Sequence, residues 1–127
     1  MPSVRTVLVA DDEFGILLVL EMALSDAGYR VVTAGNGRQA VEMARTERPD
    51  LVMLDWMMPV MDGPTAAAAI RGDPMLATIP IVIMSGASET FLRNRFQDYA
   101  AFLHKPFLDS DVLGVVASVL DGVAGPK

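Results

Sequence analysis

Cysteine is absent from the 127-residue chain, which excludes disulfides and thiolate metal sites alike. Histidine is nearly absent: His104 stands alone and cannot by itself build a histidine-rich zinc site. Basic residues are in deficit, 10 against 16 acids, for a net charge of −6. That balance disfavours direct nucleic-acid binding, which needs a basic surface, but leaves room for a protein partner with a basic patch. Long apolar runs are missing too. The first, after Met1-Pro2-Ser3-Val4-Arg5, spans only about five residues before acids interrupt it. That is too short for a signal-peptide core or a membrane span, so a cytoplasmic protein without membrane contact is expected. No internal repeat and no low-complexity tract occurs.

What is present suits one globular domain. The length and a hydrophobic share of 52% support a single core. Residues 1–127 read as one unit with its core at about 5–121, and 122–127 as a flexible tail or linker stub. Thr6-Val7-Leu8-Val9-Ala10 is a β-branched apolar run, read as a strand buried on both faces, and it stops at Asp11-Asp12-Glu13. Apolar residues at helical spacing follow from Phe14 to Ala27, with Gly28 as the stop. Tyr29 to Ala34 is a second strand and Arg38 to Glu47 a second helix, ended by Pro49.

Leu51 to Leu54 is the third strand and delivers Asp55 to its end. Asp62 can cap the next helix, with Pro64 tolerated in its first turn. Ile79 to Met84 contains a fourth strand ending at Ser85-Gly86. Ser88 to Tyr99 reads as a weaker, more polar helix, and Ala101 to His104 as a fifth strand ending at Lys105-Pro106. Asp109 or Ser110 is expected to cap a last helix running to about Leu120. Five alternations of strand and helix predict an open parallel sheet with helices on both faces. Functional groups in such sheets gather beyond the carboxyl ends of the strands.

Four strand ends carry chemistry: Asp11-Asp12, Asp55, Ser85 and Lys105. Three close carboxylates repel one another. A divalent cation that seeks oxygen resolves this, and Mg²⁺ fits a small carboxylate set better than Ca²⁺, which wants more oxygen ligands. Asp55, at its own strand end, is placed as a nucleophile that attacks phosphorus to form an acyl phosphate. Lys105 offers a compact positive charge and Ser85 a hydroxyl to the arriving oxygens. Singly, each has a plainer reading: a helix cap for Asp11-Asp12, a turn for Asp55 and for Ser85-Gly86, a surface loop for Lys105-Pro106.

Taken together, these stretches resemble a receiver domain of a two-component response regulator. The pieces that carry the likeness are Val7-Leu8-Val9-Ala10-Asp11-Asp12-Glu13; Pro49 to Asp55 with Met58-Pro59 and Met61-Asp62-Gly63-Pro64; Ile81 to Gly86; and Phe102-Leu103-His104-Lys105-Pro106-Phe107. The resemblance implies a flavodoxin-like α/β fold, doubly wound, with five parallel strands in the order 2-1-3-4-5. It implies that Asp55 is the phosphoacceptor, that Asp12 binds Mg²⁺ (or Mn²⁺) directly, that Asp11 holds the ion mainly through water, and that the Met57 backbone carbonyl completes the ligands. Ser85 and Phe102 would be the coupled switch pair, Lys105 the phosphate contact, and the bond to Pro106 cis. The donor would be a histidine kinase or a histidine phosphotransfer protein, the output an unknown downstream protein, and a homodimer stays open. Such a domain catalyses only its own phosphotransfer and dephosphorylation.

The chain departs from the family's pattern in three places, one of them the gap from Ser85 to Lys105, slightly short for the family. Phe102 lacks the hydroxyl of the tyrosine found in many members. The lead into the fifth strand is Asp98-Tyr99-Ala100-Ala101 rather than an acidic Gly-Ala-Asp-Asp-like stretch, so a shortened or irregular fourth helix is expected. Trp56 reads as a packing residue and the bulk of Met57 as a brake on water attack. His104 should face solvent. The apolar last helix (Val112, Leu113, Val115, Val116, Val119, Leu120) reads as buried or as an interface.

Other classes stay in play. A metal-dependent phosphatase-like hydrolase with an Asp nucleophile needs an acid two positions on, where Met57 stands. A flavin carrier needs a phosphate-cradling loop after the first strand, where Asp11-Asp12-Glu13 would repel the phosphate. A non-phosphorylated interaction module is the remaining alternative.

Overall fold

The computed structural model describes residues 4–124. Its elements are β1 (Thr6–Ala10), α1 (Phe14–Asp26), β2 (Arg30–Ala34), α2 (Gly37–Glu47), β3 (Leu51–Asp55), α3 (Gly63–Gly72), β4 (Ile81–Ser85), α4 (Glu89–Arg93), β5 (Ala101–His104) and α5 (Asp109–Ala124). The strands form one parallel sheet in the order β2-β1-β3-β4-β5. This is the doubly wound arrangement expected, and it reverses direction between β1 and β3.

Alternation along each strand sorts the core into two layers. Leu8, Val52, Leu54, Ile81 and Ile83 pack with Ala40, Ala44, Ala66, Ala67 and Ile70 of α2 and α3. Val7, Val9, Leu51, Met53, Val82 and Met84 pack on the opposite face with Leu20 and Leu24 of α1 and Val112, Val116 and Leu120 of α5. β3 and β4 are buried along their whole length, which explains their unbroken apolar runs. The alanines of α3 let it sit close. Gly63, at its start, lies so near the end of β3 that a Cβ there would meet the Asp55 carbonyl oxygen at 2.5 Å. Asp62 caps this helix by accepting from the Thr65 N–H at 2.9 Å, as expected.

The register that aligns the site is pinned at the far end of the sheet. The Thr6 N–H donates to the Asp50 carboxylate at 2.7 Å, and the Asp50 N–H donates back to the Thr6 carbonyl at 2.8 Å. Ala10 then lies opposite Leu54, so Asp11 emerges beside Asp55.

One helix is shortened as expected, and one boundary differs. The helix read from Ser88 to Tyr99 is only Glu89–Arg93, the shortened fourth helix that the lead into β5 implied. Ser88 caps it as a helix start should, but Phe96 and Tyr99 leave the helical path to pack against other aromatic rings. Packing has overridden local propensity there. At the other end, α5 runs to Ala124, so part of the predicted tail is helical; residues 125–127 lie outside the described residues. Its start uses the Asp111 carboxylate, which accepts from the Leu108 N–H at 2.8 Å. No helix among the described residues is long and apolar enough to cross a membrane.

Candidate functional site

Three strands deliver the charged groups to one edge. Asp11 follows β1, Asp55 closes β3, and Lys105 follows β5. Carboxylate oxygens of Asp11, Asp12 and Asp55 lie within 4.8 Å of one another. Asp11 is fully buried and Asp55 nearly so, whereas Asp12 is exposed.

A buried carboxylate is costly unless its oxygens are engaged, and both oxygens of Asp11 are. Oδ1 accepts from the Glu13 N–H at 2.9 Å, and Oδ2 accepts from Lys105 Nζ at 2.7 Å. The plainer helix-cap reading of Asp11 does not hold: Glu13 is the N-cap of α1, and no side chain caps it. Lys105 Nζ also lies 3.1 Å from Asp55 Oδ1 and 3.6 Å from Glu13 Oε1. One ammonium is thus shared among Asp55 at the end of β3 and two acids of the loop after β1.

The charge balance sets the protonation of the site. Burial, helped by the Asp11 charge and more weakly by Asp12, pushes Asp55 up from 3.8 to about 6, against the opposing pull of Lys105. Lys105 is moved up as well. Burial acts to lower it, but its bonds and charge pairing with Asp11 and Asp55 outweigh that, so the ammonium is held charged. The carboxylates outnumber the cation, and the deficit falls on Asp55. An uncompensated cluster of this kind suits a small, hard, oxygen-seeking cation.

The other expected residues are placed nearby. Ser85 ends β4, is buried, and its Oγ accepts from the Ala87 N–H at 3.0 Å. Alternation puts it on the same face as Ile81 and Ile83, where half-buried Phe102 of β5 also packs. The Lys105–Pro106 bond is cis. Met57 has its side chain 76% exposed, so its bulk stands at the mouth of the site and not in the core. It lines a cleft of about 500 Å³ with Asp12, Trp56, Met58, Pro59 and Asp62. Within the same loop Val60 holds φ at 70°, a strained conformation for a β-branched residue. His104 is exposed, as expected.

Three residues to which the sequence reading gave no role stand out: Phe96, Tyr99 and Glu89. Trp56 packs edge-on to Phe96 with ring centroids 6.1 Å apart, Phe96 meets Tyr99 at 5.9 Å, and Tyr99 meets Phe102 at 6.1 Å. The Tyr99 hydroxyl donates to Glu89 Oε2 at 2.9 Å. Phe96, Tyr99 and Glu89 had no spacing signal, because an irregular segment has no period to read.

The geometry agrees with comparisons to known proteins. Residues 7–117 match the model of the response regulator receiver domain. The chain is 39% identical over 115 residues to the transcriptional regulatory protein PdtaR of Mycobacterium tuberculosis, covering 88% of this chain and 55% of that protein. It is 33% identical over 118 residues to the alkaline phosphatase synthesis transcriptional regulatory protein PhoP of Bacillus subtilis, covering 91% and 48%. The chain thus spans about half the length of the curated relatives it matches. Among solved structures, the chemotaxis response regulator CheY4 of Vibrio cholerae superposes with a TM-score of 0.88 at 29% identity, over 92% of this chain and 99% of that one. The receiver domain of a Pseudomonas aeruginosa sensor histidine kinase, solved with a magnesium ion coordinated in its active-site cleft, gives 0.86 at 26% identity, over 93% and 98%. With sheet order, acidic edge and family match in agreement, the chain belongs to the response regulator receiver domain family.

Proposed function

We propose that Asp55 accepts a phosphoryl group from a histidine kinase or a histidine phosphotransfer protein, and that the resulting acyl phosphate resets Ser85 and Phe102 for a downstream protein. The observation that carries this reading is the shared Lys105 ammonium. It sits between Asp11 and Asp55, within reach of the oxygens of a group arriving at Asp55.

Asp11, Asp12, Asp55 and the Met57 backbone carbonyl would hold Mg²⁺, or Mn²⁺ in its place, and the all-oxygen donor set suits either ion. When bound, the ion supplies neutralisation of charge on the transferring phosphoryl oxygens. The chain's residues do the rest. A carboxylate oxygen of Asp55 attacks phosphorus, the new O–P bond forms as the N–P bond to the donor imidazole breaks, and that imidazole leaves with the electron pair and takes up a proton. Lys105 contributes its charge to the incoming oxygens. Ser85 gives up its bond from Ala87 and donates its hydroxyl to the phosphoryl group. Water attack at phosphorus later releases phosphate and restores the carboxylate. The domain therefore modifies itself and turns over no other substrate.

The reading treats residues 1–127 as one cytoplasmic receiver unit that binds no nucleic acid directly, acts through protein contact, and leaves a homodimer open. Incubation with Mg²⁺ and acetyl phosphate, followed by intact mass, tests it. A phosphoryl-sized gain in the wild type, missing in Asp55→Asn, is expected. No gain from acetyl phosphate or from any histidine-kinase donor would overturn it.

A further inference from the structure

α4 is five residues long. An isolated helix below about 12–15 residues is marginal at best in water, so tertiary contacts must hold α4 in place. Those contacts are few. Leu92 is its one buried residue. The Tyr99 hydroxyl donates to Glu89 Oε2 at 2.9 Å, and the Arg93 guanidinium lies 3.5 Å from the same oxygen and 5.8 Å from the Tyr99 ring. Burial and the Glu89 carboxylate push the Tyr99 phenol up, with Arg93 opposing, so it is a donor at neutral pH.

Tyr99 is also the third of four rings in the aromatic row that starts at Trp56, next to Asp55, and ends at Phe102. Phe102 has no hydroxyl of its own with which to fasten this face. The hydroxyl that reaches α4 belongs to Tyr99, three residues upstream.

We propose that the Tyr99–Glu89 hydrogen bond is a latch that closes α4 over the aromatic row in the unphosphorylated domain and opens when Asp55 is modified. This rests on the phosphoacceptor reading above. The mechanical link is short. Ser85 accepts from the Ala87 N–H, and Ala87 lies two residues before Glu89. Turning the Ser85 hydroxyl toward a phosphoryl group forfeits that bond and draws the Gly86–Ser88 loop with it. Glu89 then moves relative to Tyr99, which stands at the lead into β5 and is not carried along. Trp56 leads to the same place from the acceptor side, through Phe96.

A latch that favours the resting state must oppose activation, because the coupling between two sites is reciprocal. Breaking it should therefore strengthen binding of a phosphoryl mimic, which a purely structural role for Tyr99 would not do. The test titrates wild type, Tyr99→Phe and Glu89→Ala with beryllofluoride in excess Mg²⁺. Fluorescence of Trp56, the chain's single tryptophan, follows binding, and hydrogen exchange follows residues 89–93. Both variants should bind the mimic about five-fold more tightly, the equivalent of one net hydrogen bond. Both should also exchange faster across α4 before any mimic is added. Unchanged or weaker binding in both variants, with a responsive wild type, overturns the latch alone. A wild type that ignores beryllofluoride by fluorescence and exchange overturns the phosphoacceptor reading and the latch with it.

Discussion

At the carboxyl edge of the sheet, Asp11, Asp55 and Lys105 are bound by short charged contacts between strands whose registers are fixed along their length. Between Gly86 and Ala100, a one-turn helix and irregular backbone rest on the buried Leu92, a few rings, one phenol hydrogen bond and the exposed Arg71–Asp98 pair. The first region has its charges prearranged and cannot move without breaking buried ion pairs. The second can move at little cost. A domain that must hold a reacting group still while reporting the event elsewhere needs this division, since mobile elements are drawn from the low-stability end of a structure.

Lys105→Met should break the comparison hardest. It leaves a fully buried Asp11 without its ammonium, and removing one partner of a buried pair costs about 3–5 kcal/mol. Urea unfolding in the presence of a chelator should show that loss, with Mg²⁺ restoring part of it. A change within error would mean that the edge is not held by this pair.

Asp55→Asn should act in the opposite direction. The native state holds the Asp55 proton up to about pH 6, against 3.8 ordinarily. Between those values the folded chain binds more protons than the unfolded one, so stability falls as pH rises and stays low above about pH 6. The ceiling on this loss is about 3 kcal/mol. In chelator, the asparagine variant should be more stable than wild type at pH 7 and equal to it near pH 4. Added Mg²⁺ should stabilise the wild type more than the variant. Unfolding curves at the two pH values check the sign.

The smallest effect belongs to the other region. Arg93 and Glu89 form an exposed pair at 3.5 Å, and such pairs contribute about 0–1 kcal/mol. Arg93→Ala should change the unfolding free energy by less than about 0.5 kcal/mol while raising amide exchange in α4. A global loss as large as that of Lys105→Met would erase the distinction between the two regions.

Much of this molecule is legible locally. Residues 7–10, 51–54 and 81–84 are unbroken apolar runs because both of their faces are covered. Asp62 and Ser88 cap helices as their types predict. The acids, Ser85 and Lys105 were legible as a set because each ends a strand. The segment after Arg93 was legible only in part. The lead into β5 foretold a shortened helix, but its end at Arg93 and the packing of Phe96 and Tyr99 beside Trp56 and Phe102 are set by the tertiary structure.

The order of elements, the residues at each strand end and the family likeness follow from the sequence alone, because periodicity, capping and motif spacing are local properties of the chain. Tertiary structure decided that Lys105, 94 positions from Asp11, closes on it at 2.7 Å. It also decided that Asp55 holds its proton to about pH 6 and that Tyr99 fastens α4. Proton affinity and latching depend on which distant groups meet away from water, and that is set only when the sheet and its helices have packed.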